Sequence, residues 1–242
     1  ACEETRKISY VQAMLRIRGP ESRVSDMIVS STTLSDTALS NTALNKTIPI
    51  DGITLGLLAG GRATRLDGRD KAWLVRDGVP QVLRWQRRFA GEVGAMLVSA
   101  NRNLESYAKH GLVSVPDRIA DAGPLGGLDA LAAACETHWL FTLPVDLVGT
   151  NDCLLRTLIA MRGIDGAFAV DDDGAQPLVA LWRRDAAREA CEGALAKGDT
   201  AVHRLQTAMK MTRIVFPGFR FGNLNTPVDL DTAGIEMDPA TP

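Results

Sequence analysis

Residues 53–71 read ITLGLLAGGRATRLDGRDK, a short apolar run followed by a loop rich in glycine and arginine. An apolar run of this length is typical of a strand that is buried on both faces of a parallel sheet. The paired glycines Gly60 and Gly61 let the backbone turn sharply and bring its N–H groups close to phosphate oxygens. The stretch therefore predicts a central strand that ends in an anion-binding loop.

Strand and helix patterns alternate along the rest of the chain. Strands are predicted at residues 53–58, 95–99, 112–115, 139–143, 166–170, 178–182 and 212–216. Helices are predicted at residues 81–89, 104–109, 125–135, 152–161, 186–196 and 201–209. Because this alternation implies parallel pairing through right-handed crossovers, we expect an α/β fold with a doubly wound, mostly parallel Rossmann-like sheet and helices on both faces. Ligands of such sheets bind outside the carboxyl ends of the strands.

The beginning of the chain has a different composition. Residues 30–45 are rich in Ser, Thr and Asn and show no sustained amphipathic pattern. Such segments cannot bury enough apolar surface to offset the entropy of ordering them. We therefore predict that residues 1–50 form a disordered or loosely attached N-terminal extension, and that residues 51–242 form the folded domain.

Composition and charge exclude several classes of protein. The formal net charge of the 242 residues is −2, which gives no general attraction to nucleic acid or to anionic membranes. The four cysteines and three histidines are scattered without CxxC spacing, so neither a disulfide framework nor a zinc site is expected. No apolar run approaches the roughly 20 residues that cross a bilayer, and no signal peptide pattern is present. The sequence predicts a cytoplasmic protein without nucleic acid or membrane as partner.

Positive charge is instead gathered in the glycine-rich loop. Arg62, Arg65, Arg69 and Lys71 supply the charge that a triphosphate requires. Neither the P-loop pattern GxxxxGK[ST] nor the dinucleotide pattern GxGxxG is present, so those two classes of phosphate site are excluded. The alternative interpretation is an ordinary surface loop with solvated basic side chains.

The pattern LAGG-x-A-x-R-L-x-G-x-DK at residues 58–71 resembles the signature loop of the molybdenum cofactor guanylyltransferases, a branch of the nucleotidyltransferase superfamily. The resemblance extends over residues 53–231 and implies that residues 51–242 are a nucleotidyltransferase catalytic domain. It implies catalytic roles for Lys71 and Arg65. It also implies nucleotide binding by Lys71 and by the loop residues Leu58, Ala59, Gly60 and Gly61.

Two polar residues follow the next strands. Asn101 comes after the strand at 95–99, and Asp117 after the strand at 112–115. The resemblance implies that both bind the nucleotide. An amide can read a purine edge or a ribose, and a carboxylate can accept from guanine N1–H and N2–H or hold a ribose hydroxyl. The structural alternative for Asn101 is a turn residue or a cap of the helix at 104–109.

Asp146 and Asn225 complete the predicted site. Asp146 stands just past the apolar strand at 139–143, where an unpaired carboxylate would be costly to bury. Mg²⁺ prefers one or two carboxylates together with phosphate oxygens, and the resemblance implies that Asp146 is both catalytic and the Mg²⁺ ligand. The alternative is a capping aspartate for the next helix. Asn225 lies in an N-x-N-T-P turn that in the family reaches the active site, and Thr226 is predicted to cap a helix beginning at Pro227.

The resemblance implies transfer of GMP from GTP to molybdopterin, with or without molybdenum, and release of pyrophosphate. GTP and molybdopterin are then the small-molecule substrates, Mg²⁺ is the cofactor, and transient contact with molybdenum-insertion proteins or molybdoenzyme chaperones is expected. Two alternatives stay open at this point. One is a molybdopterin cytidylyltransferase or a sugar-phosphate nucleotidyltransferase, and the other is a non-catalytic nucleotide-binding module.

Overall fold

The computed structural model describes residues 47–60 and 70–236. Most of the predicted extension, residues 1–46, lies outside these ranges, so the division into an extension and a domain stays a prediction. Gly61 and Arg65 of the glycine-rich loop also lie outside the described residues.

Ten strands and seven α-helices make up the described part of the chain, with two short 3₁₀ helices at Ile50–Gly52 and Lys71–Trp73. The strands are β1 (Ile53–Leu58), β2 (Val75–Arg76), β3 (Val79–Pro80), β4 (Ala95–Ser99), β5 (Val113–Val115), β6 (Trp139–Pro144), β7 (Gly166–Asp171), β8 (Gly174–Arg183), β9 (Thr212–Val215) and β10 (Ile235–Glu236). The helices are α1 (Gln81–Phe89), α2 (Leu104–Lys109), α3 (Gly123–Ala134), α4 (Leu154–Met161), α5 (Arg184–Leu195), α6 (Val202–Ala208) and α7 (Pro227–Thr232).

Seven strands form the central sheet in the order β5-β4-β1-β6-β8-β7-β9. The pairs β1–β4, β1–β6, β4–β5 and β7–β9 are parallel, so the predicted doubly wound, mostly parallel sheet is confirmed. Strand β8 departs from the expected parallel pairing because it runs antiparallel to both of its neighbours, β6 and β7. A short turn joins β7 directly to β8, and a connection without a crossover helix can only produce an antiparallel pair.

The structure contains two Asp-Gly hairpins that the sequence analysis did not predict. In the turn between β2 and β3, Asp77 and Gly78 have φ angles of 51° and 71°, and two left-handed residues are what a type I′ hairpin requires. The turn between β7 and β8 ends at Gly174, whose φ is also positive at 118°. Strands β10, β2 and β3 then form a small antiparallel sheet of their own, which places the end of the described chain beside the segment that follows Lys71.

Helices cover both faces of the central sheet, as predicted. Apolar side chains of α1, α2 and α4 pack against one face, and those of α3, α5 and α6 against the other. Gly56 in β1 permits close packing of α3, because a Cβ there would lie 2.9 Å from Leu140 Cδ1 and 3.0 Å from Leu131 Cδ1. This packing fixes α3, whose first turn borders the site, against the central strand.

No helix in the described ranges is both long enough and apolar enough to span a membrane. The cysteines of the described part, Cys135, Cys153 and Cys191, are free thiols. Burial raises the pKa of the Cys191 thiol to about 12, so this side chain is uncharged and packs as a small apolar group.

Candidate active site

The carboxyl ends of β1, β4, β5 and β6 meet at one edge of the sheet. Beyond the paired strands, Ala59 N donates to Ser99 O at 2.9 Å, and Val145 N donates to Leu58 O at 3.0 Å. Ala100 N donates to Val115 O at 3.0 Å, which extends the same edge to β5. The loops that carry Gly60, Asn101, Asp117 and Asp146 therefore leave the sheet side by side, as the sequence predicts for a ligand site.

A cavity of about 710 Å³ opens at this edge. Its walls come from the ends of three strands and from the start of α3, and they comprise Leu58, Ala59, Gly60, Asp70, Ser99, Ala100, Asn101, Arg102, Asp117, Asp121, Gly123, Pro124 and Gly127. A Cβ at Gly127 would lie 2.7 Å from Ser99 Oγ and 3.0 Å from Leu58 Cδ2. The absence of a side chain at Gly127 therefore lets α3 approach β1 and β4 closely enough to close the wall.

Asn101 and Asp117 form a reciprocal pair inside the cavity. Asn101 Nδ2 donates to Asp117 Oδ2 at 2.9 Å, and Asp117 N donates to Asn101 Oδ1 at 2.8 Å. Ser99 Oγ lies 3.4 Å from Asp117 Oδ1 and orients the other oxygen. The helix-cap alternative for Asn101 is wrong, because the N-cap of α2 is Asn103, in a left-handed conformation with φ 55°.

Lys71, Asp146 and Asn225 form a second cluster. Lys71 Nζ donates to Asp146 Oδ2 at 2.7 Å and to Asn225 Oδ1 at 2.6 Å. The side chains of Lys71 and Asp146 are 20% and 21% exposed, so a ligand can still reach both. Asp146 does not cap the next helix: α4 begins only at Leu154, with Cys153 as its N-cap residue.

The Asn225 turn is held by the helix that follows it. Thr226 and Asp229 form a capping box at the start of α7, which confirms the predicted cap. Asp229 Oδ2 accepts from Asn225 N at 3.1 Å and from Thr226 N at 2.8 Å. Hydrogen bonds from Thr226 and Asn225 hold the pKa of the Asp229 carboxyl below its usual value, so it remains a charged acceptor that fixes the turn.

Asp70 borders the cavity and supports Lys71, and it was not among the predicted site residues. It lines the cavity, is only 6% exposed, and precedes Lys71 in the chain. Its Oδ1 accepts from Ala72 N at 3.0 Å and thereby caps the 3₁₀ helix that begins with Lys71. Its Oδ2 accepts from Asn103 Nδ2 at 3.3 Å and from Tyr107 Oη at 3.1 Å. The residue therefore anchors the lysine to helix α2.

Replacing Tyr107 with phenylalanine tests this anchor. Burial, reinforced by the charge of Asp70, raises the pKa of Tyr107, so its hydroxyl stays protonated and donates. We expect Tyr107→Phe to lower the free energy of unfolding by about 1.5–3 kcal/mol, the usual value of a hydrogen bond to a charged group. Denaturant unfolding with an unchanged m-value measures this loss. An unchanged free energy of unfolding would show that Asp70 does not depend on the tyrosine.

The donors around Asp146 fit a Mg²⁺ ion that is bound together with a nucleotide. Within residues 47–60 and 70–236, no three His, Cys, Asp or Glu side chains are grouped closely enough to hold a metal. Mg²⁺ does not need such a group when substrate phosphates and water supply its other ligands. Asp146 Oδ2 and Asn225 Oδ1 already converge on one positive charge, the Lys71 ammonium, so the site has oxygen ligands aimed at a cation.

The fold and the match to a family model define a class of protein, the nucleotidyltransferases. Residues 56–212 match the family model of the MobA-like NTP transferase domain. The chain is 38% identical over 195 residues to the molybdenum cofactor guanylyltransferase of Burkholderia vietnamiensis, an alignment that covers 72% of this chain and 91% of that one. It is 35% identical over 181 residues to the molybdenum cofactor guanylyltransferase of Serratia proteamaculans, covering 73% and 91%. The chain belongs to the molybdenum cofactor guanylyltransferase family, and the predicted resemblance is confirmed.

Solved structures show the same fold at lower identity. The molybdopterin-guanine dinucleotide biosynthesis protein A of Archaeoglobus fulgidus superposes with a TM-score of 0.58 at 18% identity, over 75% of this chain and 96% of that one. The 2-C-methyl-D-erythritol 4-phosphate cytidylyltransferase of Thermus thermophilus superposes with a TM-score of 0.54 at 17% identity, over 74% and 96%. These likenesses establish the Rossmann-like architecture, while the sequence relatives identify the family.

Proposed function

We propose that this chain transfers GMP from GTP to molybdopterin and releases pyrophosphate. The observation that carries the proposal is the position of the Lys71–Asp146–Asn225 cluster at the same sheet edge as the Asn101–Asp117 cavity. One cluster is built for phosphates and a cation, and the other for a base or ribose. The names of the sequence relatives supply the nucleotide and the acceptor.

We propose that Asp117 selects guanine. Its carboxylate is half-buried, and the Asn101 amide and the Ser99 hydroxyl hold it in one orientation. Each carboxylate oxygen can accept more than one hydrogen bond, so both remain able to accept from a ligand. Guanine presents two adjacent donors, N1–H and N2–H, whereas cytosine presents only one donor group beside two acceptors. We therefore infer that a guanine in this cavity donates to both oxygens of Asp117, whereas a cytosine donates to only one of them and sets an acceptor against the other, which is costly.

We propose that Lys71, Asn225 and the backbone N–H of Gly60 hold the triphosphate, while the Ala59 N–H stays in its hydrogen bond to Ser99 O. The acceptor is a phosphate monoester that is already ionised at neutral pH, so it needs no general base. Its oxygen attacks the α-phosphorus of GTP, the bond from that phosphorus to the bridging oxygen breaks, and pyrophosphate leaves with the electron pair. The protein's contribution is to align the two anions and to neutralise their repulsion with the Lys71 ammonium and the loop N–H groups.

Asp146 would hold Mg²⁺, with Asn225 as a neighbouring oxygen ligand. When bound, Mg²⁺ supplies charge neutralisation on the phosphate oxygens. The Asp146 carboxylate also pairs with the Lys71 ammonium and holds it at the edge of the sheet. We also propose that the protein is cytoplasmic, and that molybdenum-insertion proteins and molybdoenzyme chaperones are its transient partners.

Pyrophosphate release with Mg²⁺ and molybdopterin, compared between GTP and CTP, tests the function. We expect release with GTP and at least a hundredfold lower kcat/KM with CTP, the scale of discrimination expected when a site that accepts two hydrogen bonds meets a base with one donor group. Release with CTP alone would reassign the chain to the cytidylyl branch. Release with neither nucleotide, despite GTP binding, would indicate a non-catalytic nucleotide-binding module.

A further inference from the structure

Helix α1 reaches past the end of β6 to hold the loop that carries Asp146. Trp85 Nε1 donates to Val145 O at 3.0 Å, and Gln81 Nε2 donates to Leu147 O at 2.7 Å. Both side chains are buried, at 6% and 1% exposure. They are four residues apart and therefore lie on the same face of the helix, one turn above the other.

The carbonyl groups on either side of Asp146 are thus fixed by side chains, and its own carbonyl is fixed by backbone. Asp146 O accepts from Leu224 N at 2.8 Å, so Val145, Asp146 and Leu147 each accept one defined hydrogen bond. The last sheet hydrogen bond on this loop is from Val145 N to Leu58 O. Beyond that point, these three bonds hold the backbone beside Asp146, together with the bridge between Leu147 and Asn223 and the bonds from Val148 N, while the carboxylate itself pairs with Lys71.

Gln81 also contacts the element that carries Lys71. Its backbone N–H donates to Leu74 O at 2.9 Å, and Leu74 is the residue that ends the 3₁₀ helix Lys71–Trp73. One residue therefore connects the support of the lysine to the support of the aspartate. The two residues supported in this way, Lys71 and Asp146, form the ion pair between Nζ and Oδ2.

The second polar atom of the Gln81 amide has no stabilising role in this arrangement. Its Oε1 is buried, and no residue in the described ranges donates to it. A buried acceptor without a partner is costly, so an apolar side chain of similar size would avoid that cost. The unpartnered Oε1 therefore offsets part of the stability that the amide gains through Nε2, and the distinct contribution of the amide is the bond to Leu147 O.

We propose that Gln81 and Trp85 are positioning residues that aim the Asp146 carboxylate at the cation and the phosphates. The inference rests on the proposed role of Asp146. Residues that orient a ligand of a metal, without touching the metal, commonly change its affinity by 10–100-fold when they are replaced. The two side chains act on the carboxylate only through the backbone of the loop.

Two variants of the full chain test the proposal. Gln81→Leu removes the amide donor at similar volume, and Trp85→Phe removes the indole donor while keeping an aromatic ring. The matched control is Gln206→Leu, because Gln206 is 2% exposed and its Nε2 donates to Pro177 O at 2.8 Å on the other face of the sheet. All three variants lose one buried side-chain donor to a backbone carbonyl, but only the first two lose it beside Asp146.

The first readout is hydrogen exchange of the Leu224 amide, which needs no substrate. We expect exchange about fivefold faster in Gln81→Leu and in Trp85→Phe, and unchanged in Gln206→Leu, because only the first two free the loop that accepts from this amide. Wild-type exchange in both variants, or equal acceleration in the control, would overturn the positioning role whatever the chain's activity is.

The second readout is binding of Mn²⁺ in the presence of the α,β-methylene analogue of GTP. Binding is measured as the decrease of the electron paramagnetic resonance signal of free Mn²⁺. We expect about tenfold weaker binding in Gln81→Leu and no change in Gln206→Leu. Folded Gln81→Leu protein with wild-type affinity would overturn the proposal. Loss of the proposed function gives a different result: the wild-type chain would then release no pyrophosphate, while the exchange difference between the variants would persist.

Discussion

Replacing Asp146 with asparagine is expected to lower the turnover number for pyrophosphate release about a thousandfold. The substitution keeps the size of the side chain but removes the only negative charge among Lys71, Asp146 and Asn225. Charge stabilisation by a bound metal is worth several kcal/mol, and each ~1.4 kcal/mol is a factor of ten in rate. GTP affinity should fall much less, because the cavity that holds Asn101 and Asp117 is untouched. Steady-state kinetics and equilibrium GTP binding separate the two effects.

Asp165→Asn is the matched control for this variant. Asp165 lies just before β7, at the edge of the central sheet opposite the site. Its Oδ1 accepts from Arg183 Nε at 3.0 Å. The control loses one half-buried ion pair, whose side chains are 39% and 28% exposed, and should keep its turnover because the pair lies away from the site; pairs near the surface contribute about 0–1 kcal/mol to stability. Wild-type turnover in Asp146→Asn would remove the metal role from this residue.

Replacing Lys71 with methionine is expected to lower kcat/KM about a hundredfold, or more. The ammonium contacts both Asp146 Oδ2 and Asn225 Oδ1. Methionine has a similar length, so the packing of the 3₁₀ helix should persist while the charge is lost. We expect Lys71→Arg to recover little of the activity, because a planar guanidinium cannot replace a compact ammonium between these two oxygens. Initial rates at varied GTP concentration measure both variants.

The control for the lysine is Lys109→Met. Lys109 lies in the exposed last turn of α2 and has no contact with the Lys71–Asp146–Asn225 cluster. It should leave kcat/KM within twofold of the wild type, as expected for surface substitutions far from a site. If Lys71→Met showed the same small effect, the lysine would have no part in binding the triphosphate.

The long elements of the fold could be predicted because their apolar patterns are strong. Strand β1 is fully buried, and α1 buries Val82, Trp85 and Phe89 at helical spacing. Short elements carry a weaker signal. The two-residue strands β2 and β3 are too short to show alternation, although the Asp-Gly pair between them is a hairpin signal in its own right. The antiparallel direction of β8 followed from such a turn as well, and helix–strand alternation alone could not reveal it.

The candidate site could be predicted where its residues stand directly after strands. Asn101, Asp117 and Asp146 fall there, and the topology of a parallel sheet brings such positions together. The supporting contacts could not be predicted in this way. Asp70 reaches Tyr107 across 37 positions of sequence, and only the packing of α2 creates that bond. Gln81 does give a signal in the sequence, because a glutamine on the apolar face of α1 needs a polar partner inside the protein.

The span of the site along the chain has a consequence for its synthesis. Lys71 and Asn225 are separated by 154 positions, and Asn225 lies beyond the segment that matches the family model. A chain leaving the ribosome can therefore pair β1, β4, β5 and β6, the strands that carry the site, before Asn225 has been translated. At that stage Asp146 lacks the amide of Leu224, and Lys71 lacks one of its two partners. Formation of α7 is thus the event that completes the site. In a nascent chain the strands that carry Asp146 and the cavity can form before the last side chain of the site is in place.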